Sequence, residues 1–206
     1  MRQLLSLLMF VVPAAAQTGG WVDLLPDASF SQWTRVPLPA TATLMQPSQW
    51  KVDTARRVLL CEGTGGHEML RYNRELGDFA MRVEWRFAKL AGEPRYNSGI
   101  FIRTSAEGAI WHQAQTGLAG GYLFGASPVN GIIQKFNLQK EMKENRVKPA
   151  GEWNVYEITC KGRTIALAVN GAPVSEFPAC EVPKGYMGLE AEGFHIEFRN
   201  VRMKPL

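Results

Sequence analysis

Two short stretches concentrate side chains that can bind ligands or move protons. Trp111-His112-Gln113-Ala114-Gln115 crowds an imidazole and two amides into five positions, and Leu189-Glu190-Ala191-Glu192-Gly193-Phe194-His195 places two acids on one strand face with a histidine just past a glycine. A third group combines Glu84, flanked by Arg82 and Arg86, with the run from Asn97 to Arg103. Carboxylates and imidazoles of this kind can act as general acids or bases, and an arginine can stabilise a developing oxyanion. His112, His195, Glu84 and Glu190 are also metal-ligand types. Their spacing is non-local, no H-E-x-x-H occurs, and no run of closely spaced Asp and Asn suggests calcium. The sequence therefore demands no cofactor, while a divalent metal stays open.

The elements that must position these groups are strands. In Asp78 to Phe87, residues Phe79, Met81, Val83, Trp85 and Phe87 alternate with Ala80, Arg82, Glu84 and Arg86, the period of a strand covering a core. Asn154 to Cys160 and Thr164 to Val169 alternate likewise. Asn170-Gly171 then signals a tight hairpin, because both central residues of the favoured turn need positive φ. Val174 to Phe177, Gly185 to Ala191 and Phe194 to Met203 supply three more strands. Many short strands, glycine-dense turns and no βαβ alternation predict an all-β antiparallel sandwich or barrel. Trp21, Trp33, Trp50, Trp85 and Trp153 are expected in its core or between its sheets. Ile100 and Ile102 are expected to face that core, leaving Phe101 and Arg103 on the opposite face beside Glu84.

Residues 1–16 read as a cleavable signal peptide: Met1-Arg2-Gln3 is positive, Leu4 to Val12 is apolar, and Ala14-Ala15-Ala16 offers a cleavage site before Gln17. The apolar run is far short of the ~20 residues that span a bilayer, so no membrane insertion is expected after cleavage. The expectation is a secreted or periplasmic protein with one domain over residues 17–206. Cleavage removes Arg2 and no acid, taking the net charge from +4 to +3. So small a charge does not call for a nucleic-acid partner. Three cysteines (Cys61, Cys160, Cys180) are too few for a disulfide scaffold, and no C-x-x-C occurs.

Several segments, in order, resemble one family. These are Trp21 to Arg35, Gly77-Asp78-Phe79, Glu84-Trp85-Arg86, Asn97-Ser98-Gly99-Ile100 followed by Arg103, Lys148 to Asn154, Val169-Asn170-Gly171, Gly188-Leu189-Glu190 and Phe198 to Arg202. Together they are similar to the 3-keto-disaccharide hydrolase domain family, over roughly residues 21 to 206. The resemblance implies a concanavalin A-like jelly-roll sandwich with its site on one concave sheet face. It also implies a carbohydrate partner whose C3 hydroxyl is oxidised to a ketone. Such a ketone acidifies the C2–H, so a base can take that proton and expel the C1 group by elimination, with water adding afterwards. This route needs a base and an electrophile for the enolate at O3, not the two spaced carboxylates of an ordinary glycosidase.

Against that chemistry, Glu190 or His195 is the expected base, with Glu84 in reserve, and Arg103 is the expected oxyanion or hydroxyl stabiliser. Asn97, Trp111, His112, Gln113 and Gln115 are expected substrate contacts, Trp111 because apolar sugar faces pack on aromatic rings. Several have a plainer alternative: cross-strand ion pairs for Arg103 and Glu84, a turn for Asn97, a hydrogen-bonding surface histidine for His112, and a solvated sheet end for Glu190 and Glu192. One departure stands out. The family usually carries an acid where Gln113 stands and Gln where Glu190 stands, so the acid at Glu190 could compensate for the amide at Gln113. Without that compensation the chain would be a carbohydrate-binding module without catalysis.

Overall fold

A computed structural model describes residues 20–92, 95–117 and 119–206. The signal peptide expected over residues 1–16 lies outside these. Every regular element among the described residues is a strand. In chain order they are β1 (Val22–Asp23), β2 (Trp33–Pro37), β3 (Trp50–Asp53), β4 (Val58–Cys61), β5 (Glu68–Tyr72), β6 (Phe79–Phe87), β7 (Ser98–Thr104) and β8 (Trp111–Thr116). There follow β9 (Leu123–Val129), β10 (Ile132–Asn137), β11 (Asn154–Lys161), β12 (Thr164–Val169), β13 (Ala172–Phe177), β14 (Tyr186–Ala191) and β15 (Ile196–Pro205).

They form two antiparallel sheets. One has the order β13-β12-β11-β6-β15-β4-β3, with β1 beside β15. The other runs β10-β9-β8-β7-β14-β5-β2. The alternation in β6 does what its period predicts: Phe79, Met81, Val83, Trp85 and Phe87 are buried in one core cluster with Ile100, Ile102, Ala114, Leu123 and Leu189 of the other sheet. Asn170 and Gly171 both take positive φ and join β12 to β13. All three cysteines are buried and free. Trp33, Trp50 and Trp85 are buried as expected. Trp153 and Trp21 are instead only half-buried. Arg86 and Arg199 stack on Trp153 at 4.6 and 4.0 Å, and the Lys204 ammonium lies over Trp21.

Two local features redirect expected site residues. In β7, partners shift from Gly188↔Phe101 to Tyr186↔Thr104, so three steps of β7 oppose two of β14. Arg103 sits in this bulge at φ 44°. A bulge re-aims side chains, and Arg103 becomes fully buried rather than sharing an open face with Phe101. Secondly, the turn at Gly193 (φ 84°) carries the chain from β14 in one sheet to β15 in the other. His195, just past it, therefore belongs to the far sheet.

Candidate active-site cleft

The outer face of the β8-β7-β14-β5 region is concave and holds a cleft of about 440 Å³. Its polar lining comes from His67, Asn97, Gln113, Gln115, Glu190 and Glu192, and its aromatic lining from Phe101, Trp111 and Phe124. Strand parity explains the set. On β8, Trp111, Gln113 and Gln115 point out while His112 and Ala114 point in; on β14, Glu190 points out between the buried Leu189 and Ala191. Trp111 packs edge-on against Phe124 and Phe101 at 5.0 and 6.3 Å between ring centres, making an apolar wall beside the polar floor.

The floor is one connected network. Gln113 Nε2 donates to Glu190 Oε2 at 2.7 Å and more weakly to Gln115 Oε1 at 3.3 Å. Gln115 Nε2 donates to Asn97 Oδ1 at 2.6 Å, and Asn97 Nδ2 to Glu192 Oε2 at 2.6 Å. His67 Nε2 meets Glu190 Oε1 at 2.8 Å. Gln113 lies on β8 and Glu190 on β14, with β7 between them, so the amide must cross a strand. Gly99 makes that crossing possible. A Cβ there would lie 1.9 Å from Gln113 Nε2.

The electrostatics are asymmetric. The hydrogen bond to Glu190 raises the His67 pKa against an opposing desolvation, and the Glu190 charge adds to the rise. Burial raises the Glu192 pKa, the neighbouring Glu190 charge raises it further, and His67 partly offsets both. These are the mutual effects of two carboxylates and one imidazole at short range. No Arg or Lys lines the cleft among the described residues. His67, Glu190 and Glu192 are the cleft groups able to hold a metal, since one ligand atom from each lies within 4.8 Å of the others.

The structure therefore brings together Glu190, Asn97, Trp111, Gln113 and Gln115 from the expected set. It places four others elsewhere. Arg103 is spent on the fold: it donates to the carbonyls of Gly77, Gly162 and Val182 and pairs with Asp78 at 2.8 Å. Glu84 lies on the outer face of the opposite sheet, held by Arg199 Nε at 2.8 Å and Asn200 Nδ2 at 2.9 Å. Burial raises its pKa, but these bonds and the arginine charge outweigh it, leaving the group below its ordinary value. His112 points between the sheets, its Nδ1–H on the Ile102 carbonyl and its Nε2 accepting from Ser127 Oγ at 2.9 Å. His195 is half-buried at the start of β15 and does not line the cleft.

His67 was missed by the sequence reading. It follows the glycine-dense turn at Gly63 to Gly66 and leads into β5. Its neighbour Glu68 turns inward to Arg35 and Trp50, so parity sends His67 outward.

Residues 20–204 match the 3-keto-alpha-glucoside-1,2-lyase-like domain family. The chain belongs to it. Membership in this carbohydrate-active family agrees with the resemblance read from the motifs. No curated protein is significantly similar in sequence. Among solved structures, the family member is similar to a candidate glycosyl hydrolase from Parabacteroides distasonis, at 17% identity and a TM-score of 0.62, covering 91% of this chain and 94% of that one. It is also similar to the carbohydrate-binding module CBM66 from Bacillus subtilis (13%, TM-score 0.60, 84% and 95% covered) and to the Bacillus licheniformis beta-glucanase (13%, TM-score 0.58, 92% and 100% covered). At these identities the likeness establishes the jelly-roll sandwich fold.

Proposed function

We propose that this protein cleaves the glycosidic bond of 3-keto-glycosides by elimination, and does so outside the cytoplasm, as residues 1–16 suggest. The observation that carries this reading is the convergence of two carboxylates and an imidazole on the floor of a sugar-sized cleft with a Trp111 wall. In this reading the sugar ring packs on Trp111, and the amides of Asn97, Gln113 and Gln115 orient its hydroxyls. Glu190 has both oxygens engaged, whereas Glu192 has one on Asn97 and the other without a partner among the described residues. Glu192 is accordingly the base. It takes the C2 proton, and the C2–H electron pair enters a C2–C3 double bond while O3 takes the negative charge. When the C3 carbonyl re-forms, a C1–C2 double bond is made and the C1–O bond breaks. The protonated carboxyl then returns its proton to the leaving oxygen, and water can add across the new double bond.

The exchange of acid and amide supports activity. Gln113 and Glu190 occupy positions where the family usually carries acid and Gln, and here the two touch at 2.7 Å. The pair is thus kept with its members reversed. A binding-only reading draws on the same Gln113, since an amide cannot take a proton.

Purified protein incubated in deuterium oxide with a chromogenic 3-keto-glucoside tests the choice. Elimination predicts chromophore release with deuterium exchange at C2, both lost in Glu192→Gln. Saturable sugar binding with neither release nor exchange would sink the enzyme and leave the lectin.

A further inference from the structure

We propose that the sheet opposite the cleft carries a second saccharide site on its outer face, an arginine-lined pocket that takes the carboxylate or sulfate group of an acidic glycan. The site does not depend on the eliminative reading of the cleft. The pocket, of about 400 Å³, is lined by Arg56, Arg57, Arg199 and Arg202 with Asn200 and one acid, Asp23. A bulge assembles it. Three steps of β15 from Arg199 to Arg202 oppose two of β6 from Glu84 to Arg82, with Asn200 at φ 48°. Strict alternation would send residues 199 and 202 to opposite faces, and the bulge turns both outward.

The charges around the pocket are paired, with one exception. Arg57 meets Asp23, Arg56 meets Asp53 and Glu197, and Arg199 meets Glu84. Beside them Arg82 pairs with Glu84 and Glu157, and Arg86 with Glu197. Asp23 is the β1 partner of Arg202, but its two oxygens accept from the Leu25 amide and from Arg57. Arg202 is left without a hydrogen-bond or ion-pair partner among the described residues.

Its neighbour across β6 is another cation, Arg82, and like charges placed directly opposite repel. The Nε of each is also buried without an acceptor, a rare state for a buried donor. One oxyanion answers both defects: it accepts from the open N–H groups and cancels the repulsion. The planar fork of a guanidinium matches a carboxylate or a sulfate through two parallel bonds. The pocket is far larger than one such group, so the anion has room to arrive on a sugar ring. Arg199 runs from the pocket to the half-buried Trp153, 4.0 Å from its ring centre, and aromatic rings suit the apolar faces of sugars. An acidic saccharide is also the occupant that fits a chain of a carbohydrate-active family.

The test is calorimetric titration of the protein with a uronic-acid oligosaccharide, a sulfated oligosaccharide and sodium sulfate. We expect one acidic oligosaccharide per chain with a Kd below millimolar. Arg202→Gln should weaken it at least about tenfold, and so should raising the salt to about 1 M. Glu192→Gln, in the cleft, should leave this binding unchanged. Because Arg202→Gln removes the repulsion with Arg82, its Tm should hold or rise, and its turnover of a 3-keto-glucoside should match wild type. No saturable binding below millimolar overturns the site, as does binding that Arg202→Gln leaves intact or that Glu192→Gln abolishes. Sodium sulfate bound as tightly as the oligosaccharides would make this a free-anion site and overturn the glycan. A fall in Tm in Arg202→Gln without loss of binding would make Arg202 a structural charge and overturn it equally.

Discussion

Strands β7 and β8 carry polar side chains towards both faces of their sheet, and the two faces use them in opposite ways. Inside, Arg103 gives its guanidinium to three carbonyls and Asp78, and His112 satisfies both ring nitrogens. Outside, the network of Gln113, Gln115, Asn97, Glu190, Glu192 and His67 is equally connected but ends in open valences that face a cleft. Residue type and burial do not separate the clusters, since Arg103 and Glu190 are both charged and nearly inaccessible. What separates them is whether the hydrogen-bonding capacity is used up by the protein. A closed cluster contributes stability, and one that faces space with capacity left over can take a ligand.

The sharpest way to break this contrast is to damage each cluster and ask which property falls. Arg103→Ala strips partners from the carbonyls of Gly77, Gly162 and Val182 and removes a buried cation. We expect a loss of about 3–5 kcal/mol, lowering Tm by roughly 6–20 °C in thermal unfolding. Glu192→Gln is isosteric and sits in the open cluster. It should leave Tm within about 2 °C but lower kcat/KM on a 3-keto-glucoside by about 10²–10⁴. If Glu192→Gln unfolds the protein as readily as Arg103→Ala does, the distinction between the clusters fails.

The two histidines sharpen it further through pH. Burial depresses the His112 pKa to about 4 from an ordinary 6.5. The unfolded chain then binds the proton more tightly than the folded one, so the contribution of His112 is fully present above pH 6.5. It is lost as pH falls from 6.5 towards 4, reaching about 3 kcal/mol by the lower limit. In denaturant unfolding between pH 4 and 7, wild type minus His112→Gln should show this slope. Equal slopes in both proteins would mean that His112 is not the sealed, neutral group its surroundings indicate.

How much of this was legible from sequence follows from which signals are local. Period two placed β6, β11 and β12 correctly, and Asn170-Gly171 fixed a turn, because both depend only on neighbouring residues. The same parity, applied to Trp111 through Gln115, already separates His112 from Gln113 and Gln115, so its inward position was readable. Arg103 was not, since a bulge breaks parity and no glycine or proline stands beside it in β7 to mark it; the glycine packed against it, Gly185, comes from far along the chain. Nor was His195, because the turn at Gly193 does not say which sheet the chain enters next. His67 needed the pairing of β5 with β14, a contact between residues more than a hundred positions apart. The convergence of a site is a long-range property, whereas the faces of its strands are not.

The smallest expected effect tests the cleft through a residue with no side chain. Gly99 lies on β7 beneath Gln113, and the Cβ of an alanine there would stand 1.9 Å from Gln113 Nε2 and 2.3 Å from its Cδ. The obstacle is the Gln113 side chain from Cγ outward, with Cγ itself 2.5 Å from that Cβ, so the whole side chain must swing away; Gly99 does not adopt positive φ. Gln113 can therefore withdraw without strand β7 being strained. Withdrawal breaks the bond that orients Glu190, so Gly99→Ala should reduce kcat/KM about tenfold, near 1.4 kcal/mol, while Tm moves by a few degrees at most. Adding Gln113→Ala relieves the clash and should recover the Tm without recovering the activity. If the double variant regains activity instead, the amide is only filling space, and Glu190 is positioned by His67 alone.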